Sequence, residues 1–564
     1  MAEMKPNDLI ARCNNLKKNW GTRNKKIRDW YNVLRLQDDL AQEGMESVAS
    51  NDPRTGYNLA KHLLTGSIVA HRIPTDELKA EEIQGTSYIE DYVSRRWQAE
   101  ENRYRQMGRQ SLKGEIVGLM LATGWHAVFT MVEQDRIRIE SWNPYEVFPD
   151  FGVDGMTEVA HIYPIGAREA NLKVLRNNWN TPESKFTKPV NLYDYWGYDD
   201  DGDIVHGIIL NDYYAVDLAK VPELNNEKVG RLPVFISPVG GLPDRGVVDS
   251  KWQEHFGESI VATNEGIAKN YNRMLTFMQQ LMRDVANPRW FEQSSGETPI
   301  LREEDMFKRG AIFRGAPGDV VTPLGVPAIP VELRQALFDY QNMMQRGLFP
   351  WSIYGNVQQT MSYLAMANVA SAALQVLTPY VDAYKGLVSD INNFWVSLLL
   401  NTNSKPYGFK KPKTLPLEFG FNVEADIEIP GYLVQRATVA RMLDPDFRLS
   451  TETVMDRLFP EVKSNIRERA KVRKDIAMMH PKAILVDQIL AYREQARLCG
   501  EVGDTEGAKL YAKLAASMET ELSPQPQQPV TQTQPTASPE QQAMLREVMP
   551  QEANQPIEGM MESV

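Results

Sequence analysis

Apolar residues recur at helical spacing through the first part of the chain. Residues 7–45 alternate basic and apolar positions, and 57–72 form a second, more apolar stretch. A third helical pattern runs from Asp76 to Leu121, where Gly124 is expected to end it. The pattern therefore predicts helices over these three stretches.

Beyond Gly124 the spacing of apolar residues changes to every second position. WHAVFTMV (125–132) and DRIRIESW (135–142) alternate as the two strands of a hairpin do, with Glu133 and Gln134 at the turn. Residues 1–250 are thus predicted to form an α+β domain. Its further strands are expected at 159–165, 191–198, 203–211 and 232–239.

Helical spacing returns near Ser250. One amphipathic helix of about 35 residues, about 50 Å long, is predicted to end at Asn287-Pro288, because the residue before a proline is disfavoured in the α region. Residues 288–330 are rich in Pro and Gly and hold short β-like pieces (RWFEQ, GAIFRG, DVVTPL), which predicts a small separate module. Further helices are predicted from Val331 to Gly347 and from Met361 to Leu400, the second one kinked at Pro379.

The C-terminal part is predicted to be helical after one strand. Residues 421–430 are strand-like, helices follow from Tyr432 to Met518, and the last two form a hairpin that turns at Gly503-Asp504. Residues 523–564 are rich in Pro and Gln and poor in apolar residues, so we predict a disordered tail. The overall fold class predicted is α+β, mainly helical.

Composition limits the kinds of molecule that the chain is expected to bind and the compartment in which we expect it. The 564 residues carry a formal net charge of −12, which makes the chain a poor general DNA binder. Its two cysteines, Cys13 and Cys499, form no CxxC pair, which fits a reducing compartment. We see no signal-peptide pattern and no apolar run of about 20 residues. These features predict a cytosolic protein that assembles with other soluble parts, without a membrane.

The motifs of common enzymes are absent from the sequence. There is no GxxxxGK[ST], HExxH or GxSxG, and the seven histidines have no metal-ligand spacing. We therefore expect no enzymatic activity, no cofactor and no metal. The acidic cluster at 198–205 does not fit a calcium loop, since Leu210 stands where a bidentate Glu is needed, and it is interpreted as a hairpin turn.

One basic loop has two interpretations. Lys405, Lys410, Lys411 and Lys413 could contact phosphate, or they could simply form a solvated loop. The sequence favours the solvated loop, because nothing extends these residues into a basic stripe.

The order of elements over 250–400 resembles the portal proteins of tailed bacteriophages. A long helix leads to a Pro/Gly-rich β module, a shorter helix returns, and a polar loop leads into another long helix. Three segments are similar to portal sequences: SWNPYEVFPDFG (141–152), SYLAMANVASAALQVLTPYVDAYKGL (362–387) and LSTETVMDRLFPEVKSNIRERAKVRKD (449–475). The resemblance assigns a wing at 1–250, stem helices at 251–286 and 331–348, a clip at 287–330, a tunnel loop at 349–360, further wing elements at 361–430, a helical crown at 431–522 and the tail at 523–564.

The resemblance implies a ring, a dodecamer in that family, at one vertex of the capsid. It would be assembled in the host cytoplasm and act as a channel for double-stranded DNA during packaging and ejection. The implied partners are the terminase, the tail adaptor, and the major capsid and scaffold proteins. The clip residues implied in docking the terminase or adaptor are Arg289, Trp290, Phe291, Arg302, Arg309 and Arg314.

Contacts to DNA in such a channel should be weak, because many Lys or Arg contacts would arrest translocation. The amides and hydroxyl of the tunnel loop suit this role, as do three stem cations that lie off the apolar stripe. The cations could instead pair with acidic residues of a neighbouring subunit. The candidates are Asn356, Gln358, Gln359 and Thr360 in the loop, and Lys269, Arg273 and Arg283 in the stem.

Two other functions remain open. The chain could be another virion component, such as an internal core protein or a head–tail adaptor, although adaptors are usually far shorter. It could also be a nucleic-acid enzyme of a class without recognised motifs, which is the weakest hypothesis. Closed rings with a central hole would distinguish a portal from both.

Overall fold

The computed structural model describes residues 4–37, 47–74, 78–180, 185–226, 229–240, 252–286, 290–296, 299–300, 314–323, 330–349, 374–427, 465–502 and 504–522. Contacts within the chain divide it into two compact units, Met1–Asn465 and Ile466–Val564. The fold is α+β and mainly helical, as predicted. The finer division into wing, stem, clip and crown stays a prediction.

The first unit begins with α1 (Pro6–Asn19), α2 (Gly21–Leu34) and α3 (Asp52–Gly66). The prediction of a helix through residue 72 is wrong at its end, because β1 (Ile68–Arg72) is a strand that pairs antiparallel with β12 (Asn422–Asp426). Its partner lies some 350 residues away, so no local pattern could indicate it.

The long helical pattern of 76–121 is two helices, α4 (Ala80–Gln106) and α5 (Leu112–Thr123). Gly108, at a φ of +71°, lies between them. Ser111 caps α5 by accepting a hydrogen bond from the Gly114 amide at 3.1 Å. Gly124, at a φ of +79°, ends α5 as predicted.

Two antiparallel sheets follow. The first has the order β3–β2–β9, and the second has the order β4–β5–β6–β7–β8, with α6 (Ala167–Asn177) after β5. The predicted hairpin is confirmed, since β2 and β3 pair with Val132 opposite Ile137. The sequence pattern predicted no strand at β4 or β8. The bounds are β2 (Trp125–Val132), β3 (Ile137–Trp142), β4 (Val147–Gly152), β5 (Gly155–Ile165), β6 (Val190–Tyr198), β7 (Ile204–Leu210), β8 (Tyr213–Lys220) and β9 (Val234–Pro238).

The predicted 35-residue helix is wrong in length. Residues 252–255 and 262–264 form short 3₁₀ turns, and the helix α7 (Glu265–Ala286) has only 22 residues, about 33 Å. Between the turns, the Glu258 amide bonds to the Val239 carbonyl at 2.7 Å and the Ile260 amide to the Leu121 carbonyl at 3.0 Å. These bonds hold the segment against the first sheet. The helix is described to Ala286, and its predicted end at Asn287-Pro288 lies outside the described residues.

Two of the predicted β-like pieces are strands, and the predicted return helix is observed. β10 (Trp290–Gln293) and β11 (Val320–Pro323) form a two-stranded antiparallel ribbon, and α8 (Val331–Arg346) follows. The piece GAIFRG lies almost wholly outside the described residues. The next helix, α9 (Thr378–Asn401), has Pro379 in its first turn and follows a 3₁₀ turn at Gln375–Leu377. The predicted part of this helix at 361–373 lies outside the described residues, so the kink at Pro379 stays a prediction.

The second unit is described for three helices, α10 (Asn465–Met478), α11 (Pro481–Val502) and α12 (Thr505–Leu522). α11 and α12 pack as the predicted hairpin, and Asp504 caps α12 by accepting from the Gly507 amide at 2.9 Å. The predicted helices at 432–464 and the tail at 523–564 lie outside the described residues. Within the part of the chain that is described, no helix is long and apolar enough to cross a membrane.

Candidate functional site

The candidate site is the hairpin, a name used here for α7, the β10–β11 ribbon and α8. α7 and α8 pack against each other, and the ribbon lies between them in sequence. In the ribbon, Trp290 stands opposite Pro323 and Gln293 opposite Val320. This is the helix, β module and returning helix that carry the resemblance described above.

Side-chain hydrogen bonds fix the base of the hairpin. Asn264, just before α7, donates from Nδ2 to the Met344 carbonyl at 2.7 Å, and Thr263 donates from Oγ1 to the Gly347 carbonyl at 3.1 Å. A Cβ on Gly347 would lie 2.1 Å from Asn264 Oδ1, so only glycine permits this approach. The two ends of the hairpin are therefore held together where they join the core.

The loop before α3 also forms hydrogen bonds with α7. The Ser50 amide donates to Asn272 Oδ1 at 2.8 Å, and the Val48 amide donates to Thr276 Oγ1 at 3.1 Å. Thr276 is fully buried at this contact. The N-terminal half of α7 thus has partners within the chain.

The rest of the hairpin exposes large apolar side chains. The buried residues are Ala268 and Thr276 in α7, and Leu337 and Met344 in α8. The exposed apolar residues belong to neither hydrophobic core cluster of the described chain. They are Phe277 (43% exposed), Met282 (48%) and Val285 (50%) in α7, and Val331 (76%), Phe338 (58%) and Met343 (49%) in α8.

The ribbon adds to this surface. Trp290, Phe291 and Val320 are all exposed, by 42%, 53% and 46%. Asp319 orders the neighbouring turn by accepting from the Ser295 and Ala316 amides, and these bonds lower the pKa of its carboxyl. An isolated two-stranded ribbon is marginal in water, and β10 and β11 pair only with each other among the described residues.

The predicted docking residues are placed only in part. Trp290 and Phe291 lie in β10, and Arg314 is exposed before β11. Arg289, Arg302 and Arg309 lie outside the described residues, as do the tunnel-loop candidates Asn356, Gln358, Gln359 and Thr360. Docking and DNA contact by these residues stay predictions.

The three stem cations all lie on α7. Lys269 forms an ion pair with Glu265 one turn away, with 2.8 Å between Nζ and Oε1. Arg273 and Arg283 are exposed. The pairing of Lys269 within its own helix makes its charge less available to a passing phosphate, while contact of all three with DNA stays a prediction.

The acidic cluster at 198–205 is a turn, as predicted. Asp199 accepts from the amides of Asp201 and Asp203 at 2.9 and 2.8 Å, and Gly202 has a φ of +84°. Lys220 Nζ lies within 2.6 to 3.2 Å of Asp199, Asp201 and Asp203 and balances much of their charge. Elsewhere in the described residues, no group of three or more His, Cys, Asp or Glu is placed to hold a metal.

Sequence reasoning predicted an apolar stripe on α7 that a hairpin of so little bulk cannot bury alone, and Met282 and Val285 of that stripe are exposed. Phe277 and Met282 widen the apolar face beyond what one neighbouring helix can cover, and this width was the available signal. A stripe in a sequence does not show which surface buries it.

Comparisons with known proteins give distant likenesses. No family model and no curated protein matches the chain. The chain is similar to a solved chain from the neck of a native GTA particle computed with C12 symmetry, at 12% identity and a TM-score of 0.38, covering 73% of this chain and 90% of that one. It is also similar to one from the neck of an empty GTA particle computed with C6 symmetry, at 12% identity and a TM-score of 0.39, covering 72% and 90%. TM-scores below 0.5 do not establish a shared fold.

Proposed function

We propose that the chain is a portal-type subunit that forms a ring at one vertex of a phage capsid and passes double-stranded DNA. Its clip would dock the packaging terminase and later a tail adaptor. The exposed apolar surface of the hairpin is the observation that carries this proposal.

The size of that surface favours assembly. Fully burying one large apolar side chain stabilises by about 1.5–3 kcal/mol. Six helical residues that are roughly half exposed would therefore contribute about 5–10 kcal/mol per subunit before the entropic cost of association is deducted, which favours assembly. A monomer would leave this surface in water.

The arrangement of the surface favours a closed ring. The exposed residues lie on two different helices, so α7 of one copy can pack against α8 of the next. Contacts between two different surfaces are heterologous, and they either close into a ring or continue as a filament. The hydrogen bonds at the base of the hairpin hold its two helices in one arrangement, which equivalent contacts around a closed ring require of every copy.

The polar residues of the two helices suit a channel wall. Eight of them are amides, beside nine charged residues, and amides offer weak contacts that do not depend on sequence and do not neutralise phosphates as lysines do. The amides are Asn270, Asn272, Gln279, Gln280, Gln335, Gln341, Asn342 and Gln345.

Electron microscopy of the purified chain tests the ring. We expect negative-stain images to show rings with a central hole, and the double variant Phe277→Glu/Phe338→Glu to yield monomers, because it places charges in the proposed interface. The matched control is Val153→Glu/Leu417→Glu, which changes two residues that are 96% and 105% exposed and should keep the rings. Monomers of the unmodified chain at every salt concentration would refute the proposal.

A second experiment separates a channel from another virion component. Replacing residues 356–360 with a Gly/Ser linker should leave ring assembly intact while impairing DNA packaging. Normal packaging by this variant would remove the tunnel loop from the proposal.

A further inference from the structure

The first two helices carry a concentration of positive charge that the proposed channel does not use. Residues 4–37 contain nine Lys or Arg and two Asp, a net charge of +7, so the rest of the chain must carry −19. Between Leu9 and Arg28 there is no acidic residue. Such a separation of charge within an acidic chain points to a local anionic partner.

Helical packing forces these cations outward. α1 buries Leu9, Cys13 and Leu16, and α2 buries Ile27 and Trp30, at spacings of three and four. Apart from Arg23, which is buried, and Lys26, which is half-buried, the lysines and arginines of the two helices are exposed. We call Lys17, Lys18, Lys25, Lys26 and Arg28 the basic helical surface; Lys26 is half-buried and the other four are exposed.

Contacts with one short segment bring the two helices' cations together. Lys17 Nζ lies 6.0 Å from the ring centroid of Phe148, and Arg28 donates from Nη2 to the Tyr145 hydroxyl at 2.6 Å. Trp20, between the helices, donates from Nε1 to the Pro149 carbonyl at 2.8 Å. Residues 145–149 therefore support both helices and hold Lys17 and Arg28 on one side of the unit.

The charges of this surface are not neutralised by ion pairs. Among the described residues, none of its five members has a carboxylate within 4.0 Å, and Lys26 Nζ instead donates to the Glu254 backbone carbonyl at 3.2 Å. Four acidic residues line the same cleft as Lys25 and Lys26. They are Asp29, Glu254, Glu258 and Glu265.

The other cations of α1 and α2 show the contrast. Arg12 pairs with Glu158 at 2.6 Å. Arg23 is buried, donates from Nη2 to the Thr123 carbonyl at 2.6 Å, and lies 4.6 Å from the centroid of the Trp30 ring. These two have structural partners inside the unit, whereas the basic helical surface faces outward.

We propose that the basic helical surface binds the phosphate backbone of double-stranded DNA without sequence specificity. Duplex DNA presents a phosphate charge about every 1.7 Å, which a cluster of lysines and arginines neutralises with release of counterions. Asn14, Asn15, Asn19 and Thr22 are exposed beside the cations and add hydrogen-bond donors. An anionic membrane fits less well, because within 4–37 the exposed large apolar residue is Met4 alone, at 37%.

This contact goes beyond the proposed channel, because it lies on α1 and α2 and not on the hairpin. It does not require a ring, although a ring would repeat the surface in every subunit and raise the avidity for one duplex. DNA bound to the basic helical surface would stay close to the proposed channel. The hairpin itself would bind DNA only weakly.

Fluorescence anisotropy of a labelled duplex with the full-length chain tests the proposal at several salt concentrations. Lys17→Gln/Lys18→Gln/Lys25→Gln should reduce the slope of log K against log[salt] by about 2.7, because each neutralised phosphate contributes about 0.9 to that slope. The matched control, Lys405→Gln/Lys410→Gln/Lys413→Gln, changes the net charge equally on the basic loop and should leave the slope unchanged. Duplexes of unrelated sequence should bind alike.

Three results would overturn the proposal. The first is unchanged binding by the α1–α2 variant. The second is an equal decrease in both triple variants, which would indicate a general effect of net charge. The third is binding of polyglutamate or anionic lipid vesicles without any salt-dependent complex with the duplex. The ring-deficient Phe277→Glu/Phe338→Glu chain should still form a salt-dependent complex with the duplex, and Lys17→Gln/Lys18→Gln/Lys25→Gln should weaken that complex, so failure of the ring and failure of this surface can be told apart.

Discussion

Two histidines are held inside the β region of the first unit in their neutral form. His126 is fully buried, with Nε2 3.2 Å from Ser141 Oγ, and burial lowers its pKa to about 3. His161 stacks on the Trp142 ring at 4.2 Å, and burial lowers its pKa to about 4. Neither ring can take up a proton near neutral pH without leaving its site.

These histidines predict acid sensitivity. The pKa values of both histidines in the folded state lie below the unfolded value of about 6.5. Their contribution to the free energy of unfolding is therefore fully present above pH 6.5 and decreases as the pH falls below that value. At pH 5 each should lower the free energy of unfolding by about 2 kcal/mol relative to pH 7. Urea unfolding followed by tryptophan fluorescence should show this loss, and His126→Gln/His161→Gln should reduce it.

The exposed His62 provides the control. His62→Gln should keep the full difference in stability between pH 7 and pH 5. An equal pH dependence in the double variant and the unmodified chain would contradict the assignment. The sequence showed only that the histidines lack metal-ligand spacing, because burial of a single ring is decided by strands that pair from distant positions.

At the scale of elements, the segment that precedes α7 is positioned by a close contact between two glycines. Gly257 has a φ of +75°, and a Cβ on it would lie 2.1 Å from the Gly124 carbonyl oxygen. Gly124 itself ends α5, so this contact ties the segment before α7 to the end of the preceding helix and sheet. The approach explains why the helical pattern near Ser250 does not become a helix until Glu265.

Gly257→Ala should therefore destabilise the first unit strongly. The matched control is Gly202→Ala, at a similar φ of +84° but with no atom within 4 Å of an added Cβ. That control should cost about 1–2 kcal/mol for the left-handed backbone alone. Calorimetry should show a clearly larger drop in Tm for Gly257→Ala, and equal drops would mean that the close approach relaxes without cost.

Local patterns predicted those elements that are determined by neighbouring residues. The β2–β3 hairpin, the end of α5 at Gly124, the β10 and β11 pieces and the α11–α12 turn all follow from nearby residues. The errors occur where distant partners decide. Strand β1 exists because β12 pairs with it, and residues 256–260 are held by Val239 and Leu121. The candidate site was predicted as an order of elements whose apolar stripe the hairpin is too small to bury alone. Which side chains stay exposed was not predicted, since that depends on how α7 and α8 pack.

At the scale of the whole molecule, both hydrophobic core clusters of the described residues lie within the first unit. The buried residues of the first hydrophobic cluster run from Leu9 to Val423, and those of the second run from Ile165 to Ala215. The hairpin and the basic helical surface also belong to the first unit, Met1–Asn465. The second unit has its own contacts and exposes apolar residues such as Ile476, Met479 and Leu510.

This division predicts that a chain of residues 1–465 folds and assembles. Removing the second unit takes no residue from either core cluster, so the Tm of the first unit should match that of the full chain. The shortened chain also keeps Phe277 and Phe338, so negative stain should still show rings. If it folds with an unchanged Tm but stays monomeric, ring closure belongs instead to the apolar residues of α10, α11 and α12. If the Tm itself falls, the two units depend on each other for stability, and the full-length Phe277→Glu/Phe338→Glu chain then decides whether the hairpin closes the ring.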